Sequence, residues 1–375
     1  TRKESSAASD VYKRQLENFL RKYMKISIGA YIKEGPWGGG NLFFKNLKNY
    51  LENNGHIVIN HLLDNDIDLI LLTDPRKESE SSSYTDIEIL KYKKNINPYV
   101  KVVHRINECD ERKGTTGLNN FIYNANLCSD ATVFVSNWIK QLYQDQGLNT
   151  SAPHVIMSGS DSKIFNSRNK SVLKDGEKIS IVTHHWGGNW NKGFDVYERL
   201  DKLMADPDFG NLFEFNYIGN IPDGFIFKNS NLIKPLEGKE LAKELKKNHI
   251  YITGSKNEPS GNHHIEGALC GLPVLYINSG ALPEYCSNFG IEFNVNNIKE
   301  KILEMKSDYE KYQSFLKVYP FVSDTMSANY EKLFYSLVPH KRESHEYVRN
   351  DNIIHKLRKV IILKFYNLFR KNKLW

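Results

Sequence analysis

Short apolar segments alternate with segments of helical spacing along most of this 375-residue chain. Such repetition is typical of a doubly wound parallel sheet, because a helix must carry the chain back before the next parallel strand can begin. The predicted strands cover residues 25–31, 56–59, 68–72, 100–103, 131–136, 179–183, 214–218, 250–253 and 274–277. The pattern therefore predicts the α/β class.

A polar stretch at residues 170–177 has no apolar periodicity and divides the predicted strands into two series. A chain of this length is long enough for about two domains. We therefore predict two Rossmann-like domains, at residues 24–170 and 171–322, that face each other across a cleft. A helix at 323–339 is predicted to cross back to the first domain, and a basic tail covers 340–375.

The N-terminal residues need separate treatment. Residues 5–15 resemble the in-frame translation of a sequencing-library adapter, so we interpret 1–23 as a non-native leader and Met24 as the natural start. The leader lacks the apolar core of a secretory signal, and no apolar run reaches the roughly 20 residues of a membrane span. The four cysteines form no C-x-x-C pair, which argues against disulfides and structural zinc. We expect a cytoplasmic protein.

The net charge of +7 belongs to the tail, since residues 341–375 carry ten basic and three acidic residues. Within 351–374, apolar residues recur at helical spacing among lysines and arginines, which predicts a basic amphipathic helix. Two interpretations stay open: peripheral binding to an anionic membrane surface at the inner face of the plasma membrane, or packing across the first domain. No nucleic-acid-binding motif accompanies the charge, so we expect no nucleic-acid partner.

Two acidic residues eight positions apart, Glu258 and Glu266, lie in a loop and helix that precede the apolar strand 274–277. This order places both carboxylates at the carboxyl end of a parallel sheet, where open α/β folds bind ligands. The residues between them, Gly261, Asn262 and His263, form the predicted start of the helix, where backbone N–H groups can bind an anion.

Three further segments accompany that pair. Residues 155–165 are similar to the pattern pxNGvDxxxF, with Ser158 where asparagine is usual; residues 179–194 contain a strand, a loop and Lys-Gly; and 281–285 read Ala-Leu-Pro-Glu-Tyr. With the E-x7-E spacing, they resemble the retaining GT-B glycosyltransferases, especially glycosyltransferase family 4. The likeness is strongest over residues 155–285.

The resemblance implies a role for three residues of the second domain. Glu266 would accept hydrogen bonds from the ribose hydroxyls of a nucleotide, and would therefore anchor it. Glu258 would hold the donor sugar or stabilise positive charge at its anomeric carbon. Lys192 would stabilise negative charge on the β-phosphate of the leaving nucleoside diphosphate.

The family usually adds an arginine in the loop before the lysine, and this chain has His-His-Trp at residues 184–186 instead. The second contact to the diphosphate therefore needs another group. Candidates are His185, a backbone N–H group, or Arg105 from the first domain.

In the first domain, Gly39 and Gly40 follow the first strand and precede a helix. Glycines let the backbone approach a ligand closely, and in the family this loop lies near the donor phosphates and the acceptor. The sequence is not the G-x-G-x-x-G dinucleotide fingerprint. A tight turn without a ligand role is the alternative.

A second polar segment of the first domain directly follows the apolar strand 100–103. The resemblance makes His104 the candidate catalytic residue beside the donor sugar. Asn107, Glu108 and Asp110 are candidate acceptor contacts. A purely structural histidine is the alternative interpretation of His104.

We expect no required metal and no cofactor. The histidines near the motif lack the spacing of metal ligands. Asp66 and Asp68 resemble the Asp-x-Asp motif of a different glycosyltransferase fold, but they precede a strand instead of following one.

The sequence therefore favours a GT-B glycosyltransferase that moves a sugar from a UDP-, GDP- or ADP-linked donor to a hydroxyl of a glycan or lipid-linked glycan, with retention of configuration. Bacterial cell-envelope polysaccharide synthesis is the expected setting. Two alternatives remain: a non-catalytic subunit that binds a glycan or acts as a scaffold, and another GT-B enzyme such as a sugar-nucleotide epimerase or a phosphorylase.

Overall fold

A computed structural model describes residues 23–33, 38–174 and 176–338. The predicted leader lies outside these residues except for Tyr23, and so do residue 339 and the basic tail at 340–375. Among the described residues, no helix is long and apolar enough to cross a membrane.

The first half is built on a six-stranded parallel sheet, with spatial order β2-β1-β3-β4-β5-β6. Its strands are β1 (Lys25–Ile28), β2 (Ile57–Ile59), β3 (Leu69–Leu72), β4 (Lys101–Ile106), β5 (Ala131–Phe134) and β6 (Pro153–Val155). The helices that pack around it are α1 (Gly39–Asn53), α2 (Asp86–Asn95), α3 (Asp110–Lys113), α4 (Leu118–Asn126) and α5 (Asn137–Asp145).

The second half repeats the plan, with spatial order β12-β11-β10-β7-β8-β9. Its strands are β7 (Ile179–His185), β8 (Phe213–Gly219), β9 (Asn231–Ile233), β10 (Ile250–Thr253), β11 (Val274–Ile277) and β12 (Gly290–Phe293). Its helices are α6 (Phe194–Met204), α7 (Pro207–Gly210), α8 (Gly238–Leu245), α9 (Asn262–Leu269), α10 (Leu282–Cys286), α11 (Ile298–Ser307) and α12 (Tyr309–Phe315).

The central strands are buried on both faces, which explains their continuous apolar character. Ile181 and Leu275 point into one core of the second half, whereas Val182 and Val274 point into the other. This alternation follows from the two-residue period of a strand. The predicted α/β class with two parallel-sheet domains across a cleft is confirmed.

The chain crosses between the halves twice, and the two crossings touch. Ser323 N donates to Ser160 O at 2.9 Å. A Cβ atom on Gly159 would lie only 2.4 Å from the backbone of Val322, so a glycine is needed for this close approach. The chain then ends its described part in α13 (Ser323–Leu337), which packs on α1 through the rings of Phe43 and Tyr330, 5.3 Å apart.

The segment 281–285 also joins the halves. The hydroxyl of Tyr285 donates to Val135 O at 2.8 Å and accepts from Ser158 N at 2.9 Å. The Glu284 carboxylate accepts from the backbone N–H groups of Asn137 and Trp138, at the start of α5. A carboxylate stabilises a helix N-terminus, so these contacts fix one half against the other.

Two predicted strand ends were too early. The sequence placed His104 after its strand, but β4 continues through it to Ile106. Likewise β7 extends to His185, so His184 and His185 are strand residues and not loop residues. Both segments are polar yet buried, and other helices and strands supply hydrogen bonds to His184, to His185 and to one ring nitrogen of His104.

Candidate active site

A cleft of about 1300 Å³ runs between the two halves. The carboxyl ends of β4 and β7 open into it, and residues from both halves line it. The helix starts at Gly39 and at Asn262 lie close together there: a Cβ atom on Gly39 would lie 3.3 Å from the side chain of Asn262. The amino ends of α1 and α9 therefore both face the cleft, and each favours an anion.

Glu258 lies in the loop after β10 and is only 5% exposed. Its Oε1 accepts from Arg112 Nε at 3.1 Å, and its Oε2 accepts from Lys192 Nζ at 2.8 Å and from Ser255 Oγ at 3.2 Å. Burial raises the pKa of this carboxyl, but Arg112 and Lys192 outweigh it and hold the pKa well below its usual range. The carboxylate is therefore ionised at neutral pH.

Glycines shape the backbone on both sides of this ion pair. Gly193, which follows Lys192, has a φ of +98°, and a Cβ atom there would lie 2.4 Å from the backbone of Gly254. Gly261 has a φ of +73°, and a Cβ atom there would lie 2.8 Å from the side chain of Glu258. Because left-handed backbone suits glycine, both positions favour this residue.

Glu266 lies in the second turn of α9 and ends a chain of buried hydrogen bonds. Its Oε2 is 2.9 Å from His184 Nε2, and His184 Nδ1 is 3.1 Å from the Tyr251 hydroxyl. Ser160 Oγ, from the crossing between the halves, donates weakly to Glu266 Oε1 at 3.5 Å. With a proton on Nε2, His184 donates to the carboxylate and fixes its orientation toward the cleft.

Two further histidines lie beside these residues and are held neutral. His185 Nε2 is 2.7 Å from the Tyr197 hydroxyl, and His263 Nε2 is 2.9 Å from Thr253 Oγ1. Burial lowers the pKa of each far below its usual value, and the cation of Lys192 adds to the effect. Among the described residues, no group of three or more His, Cys, Asp or Glu side chains suits a metal ion.

The wall of the first half contains His104 and Arg105, on adjacent positions of β4. His104 Nδ1 is 3.2 Å from Asn126 Nδ2, and burial lowers the pKa of this imidazole to about 3. The guanidinium of Arg105 lies over the ring of Phe43, 4.0 Å from its centre. His104 Nε2 and Arg105 Nε are buried and have no hydrogen-bond partner among the described residues.

The other candidate residues divide into two groups. Gly39, Gly40, Asn107 and Glu108 line the cleft, as do Gly261 and Asn262. Asp110 is not among the lining residues; its carboxylate accepts from the N–H groups of Leu118 and Asn119 at the start of α4, at 3.0 and 2.9 Å. The structure thus gives Asp110 a helix-capping contact, and its contact with an acceptor stays a prediction.

Sequence reasoning missed two residues of the cleft. Arg112 belongs to the polar segment after β4 but was not recognised as a site residue, although it lies four positions after Glu108, the spacing of a helical ion pair. His184 was not among the predicted site residues, and its pairing with Glu266 was not foreseen. The partners in the pairs Arg112–Glu258 and His184–Glu266 are far apart in the sequence, so no local sequence pattern predicts either contact.

No family model matches the chain, and no curated protein matches its sequence. Several solved structures are similar. The catalytic domain of starch synthase IV from Arabidopsis thaliana, bound to ADP and acarbose, has a TM-score of 0.63 at 11% identity, covering 84% of this chain and 100% of that chain. HepE from Anabaena in complex with UDP has a TM-score of 0.62 at 12% identity, with the same coverage.

A glycosyltransferase from Rickettsia africae has a TM-score of 0.60 at 15% identity, covering 86% of this chain and 100% of that chain. These neighbours share the paired parallel sheets across a cleft. The chain has the GT-B fold. Identities this low establish the architecture alone, so membership of family 4 stays a prediction. In the GT-B fold of this chain, Glu258, Lys192 and Glu266 all lie at the cleft, on the side of the second half.

Proposed function

We propose that the protein transfers a sugar from a nucleoside-diphosphate sugar to a hydroxyl acceptor, with retention of configuration. The Lys192–Glu258 ion pair carries the proposal, since it places a cation and an anion 2.8 Å apart at the cleft, with side chains 15% and 6% exposed. A cation suits a leaving diphosphate and an anion suits a sugar that gains positive charge. The nucleotides bound by the starch synthase and HepE structures support a nucleotide donor.

Most groups that hold the donor belong to the second half, and the first half adds the amino end of α1 with Gly39 and Gly40. Glu266, oriented by His184, accepts hydrogen bonds from the ribose hydroxyls. Lys192 holds the β-phosphate, and the amino ends of α1 and α9 add favourable dipoles. Gly39, Gly40 and Gly261 have no side chains, so the phosphates can approach the backbone closely.

In the reaction, the bond between the anomeric carbon and the β-phosphate oxygen breaks while the acceptor oxygen forms its bond from the same face. The acceptor proton passes to the departing phosphate oxygen, so configuration is retained and no enzymic nucleophile is needed. Glu258 stabilises charge at the anomeric carbon. His104, neutral because burial lowers its pKa to about 3, offers Nε2 to a sugar hydroxyl. Positioning and charge stabilisation account for the rate.

The acceptor is proposed to be a glycan or a lipid-linked glycan in bacterial cell-envelope polysaccharide synthesis. Asn107 and Glu108, on the wall of the first half, face it. The basic segment 351–374, which lies outside the described residues, would bring the enzyme to an anionic membrane surface. This setting rests on the family resemblance and on the charge of the tail.

Calorimetric titration with UDP-, GDP- and ADP-sugars tests the proposal, followed by assays of transfer and hydrolysis. We expect one nucleotide class to bind and to be turned over, with the same rate in EDTA because no metal is required. Failure of every nucleotide sugar to bind would refute the proposal. A scaffold subunit would show no turnover and would tolerate Glu266→Ala, whereas a phosphorylase would require free phosphate and no nucleotide.

A further inference from the structure

The short helix α3 of the first half is tied to the second half at three points. Arg112 Nε donates to Glu258 Oε1 at 3.1 Å. Asn191 Nδ2 donates to Arg112 O at 3.3 Å, and Asn257 Nδ2 donates to Glu111 O at 3.1 Å. These contacts hold the guanidinium of Arg112 on the second-half side of the cleft.

Two cations therefore share one carboxylate, with Arg112 on Oε1 of Glu258 and Lys192 on Oε2. The guanidinium and the ammonium thus both contact the same carboxylate, and both residues line the cleft. Arg112 also donates from Nη1 to both oxygens of Glu108, at 3.0 and 3.2 Å. Its Nη2 makes no hydrogen bond to the described residues, so this edge of the guanidinium has donors to spare.

We propose that Arg112 is the second cation that contacts the diphosphate of the donor, in place of the arginine that this chain lacks beside Lys192. The inference rests on the proposed function and names the missing phosphate contact of the same site. A guanidinium fork matches phosphate oxygens in two-point geometry, whereas the lysine acts as a compact charge. When a diphosphate binds, Arg112 and Lys192 turn to it, and the carboxylate of Glu258 becomes available to the sugar.

The other candidates for this contact fit less well. The guanidinium of Arg105 is buried against the ring of Phe43, and no contact links it to Lys192. His185 is hydrogen-bonded to Tyr197 and carries no charge, so it would stabilise the negative charge of a phosphate only weakly. Arg112 is the cation that shares a partner with Lys192.

The contribution of Arg112 can be measured as the ratio of the affinities for a nucleoside diphosphate and for the matching monophosphate. Titrations of the full chain would compare UDP, GDP and ADP with the matching monophosphates. Arg112→Met should weaken the diphosphate that binds wild type by about 10- to 100-fold, while the monophosphate changes much less. Lys113→Met is the matched control: it removes one charge from the same helix, where Lys113 pairs with Glu108 at 3.6 Å, and it should leave the diphosphate-to-monophosphate ratio unchanged.

A double variant separates direct contact from simple neutralisation of Glu258. If Arg112 only neutralises that carboxylate, Arg112→Met with Glu258→Gln will regain the diphosphate affinity of Glu258→Gln alone, and the inference is wrong. If Arg112 contacts phosphate, the deficit remains in the double variant. Arg112→Lys keeps the charge and the fold, loses the fork, and should show an intermediate deficit.

Two negative results have different meanings. A wild-type protein that binds no nucleoside diphosphate overturns the proposed function and this inference together. A wild-type protein that binds one, with Arg112→Met and Arg112→Lys binding it equally well, overturns only the role of Arg112. Melting curves for each variant confirm that the compared proteins are folded.

Discussion

The two walls of the cleft differ in how completely their buried polar groups are paired. In the wall of the second half, Glu258 and Glu266 both have hydrogen-bond partners on more than one side. In the wall of the first half, His104 Nε2 and Arg105 Nε are buried without a partner among the described residues. An unpaired buried polar group lowers the free energy of unfolding by about 1–3 kcal/mol. The unpaired groups of the first wall therefore destabilise the fold, whereas Glu258 and Glu266 of the second wall are paired.

The difference teaches how a two-substrate site can divide its work. A wall whose charges are already oriented stabilises charge without reorganising during the reaction, which suits the donor and its leaving group. A wall with spare donors and acceptors gains most when a sugar supplies the missing hydrogen bonds. Changes to the second wall should therefore reduce nucleotide binding and turnover, and changes to the first wall should affect stability or the binding of a sugar.

The largest effect is expected from Lys192→Ala. Loss of the cation that faces the leaving group should lower kcat by roughly 100- to 1000-fold, the range seen when one charge-stabilising donor is removed. Steady-state kinetics with a saturating donor measure it. Lys202→Ala is the control, because Lys202 is exposed on α6 and, among the residues that the structure describes, pairs only with Glu198. A decrease of less than about threefold would remove the leaving-group role from Lys192.

Acid should lower the folding stability of the protein through His104, the neutral histidine of the first wall. Burial lowers the pKa of His104 to about 3 in the folded protein, so below its ordinary value of 6.5 the unfolded chain binds the proton more readily. Stability from this residue is complete above pH 6.5 and is lost as pH falls toward 3, by about 1.4 kcal/mol per pH unit. At pH 4.5 this is about 2–3 kcal/mol.

Denaturant unfolding of wild type and His104→Gln across pH 4.5–7.5 tests this expectation. The variant should unfold with a shallower pH dependence, because it no longer has this titrating group. His264 of the second half is a useful comparison, since burial lowers its pKa to about 4. The stability lost through His264 should therefore level off at a higher pH than the stability lost through His104. Equal slopes for wild type and His104→Gln would show that the pKa of His104 is the same in the folded and the unfolded protein, against this expectation.

Glu266→Gln should weaken nucleotide binding by about tenfold while leaving stability nearly unchanged. An amide donates as well as accepts, so it pairs less well with two ribose hydroxyls than a carboxylate does. Titration with the ribose form and the 2′-deoxy form of one nucleotide gives the sharper measurement: wild type should distinguish the two and the variant should not. Glu292→Gln, on the exposed side of β12, is the control.

The sequence predicted the central strands because four consecutive buried residues, such as Leu69–Leu72, leave a continuous apolar run. It missed β6, β9 and β12, which all lie at sheet edges. β6 and β9 are three residues long and largely exposed, so they carry little apolar signal. Edge strands are defined by the neighbour that they pair with, and a single sequence does not show that neighbour.

The same limit applies to the site. Glu258, Glu266 and Lys192 were recognisable because their spacing follows a family pattern, and all three line the cleft. Arg112 was not recognised, since its partner Glu258 lies 146 residues away and the contact depends on how the halves are placed. The sequence also assigned Asp110 to the acceptor, because an acidic residue after a strand suits either a ligand or a helix cap.

The smallest effect is expected from Asp110→Ala, and it separates these two readings of the residue. The carboxylate accepts from two N–H groups at the start of α4 and from Thr115 Oγ1 at 2.8 Å. Its loss should lower the free energy of unfolding by about 1 kcal/mol, as for other caps, and leave KM for the acceptor unchanged. Asn107→Ala, whose position lines the cleft, should instead raise that KM with little change in stability. If Asp110→Ala raises KM for the acceptor and leaves stability intact, the capping role is wrong, and the first wall extends further along α3 than its present contacts indicate.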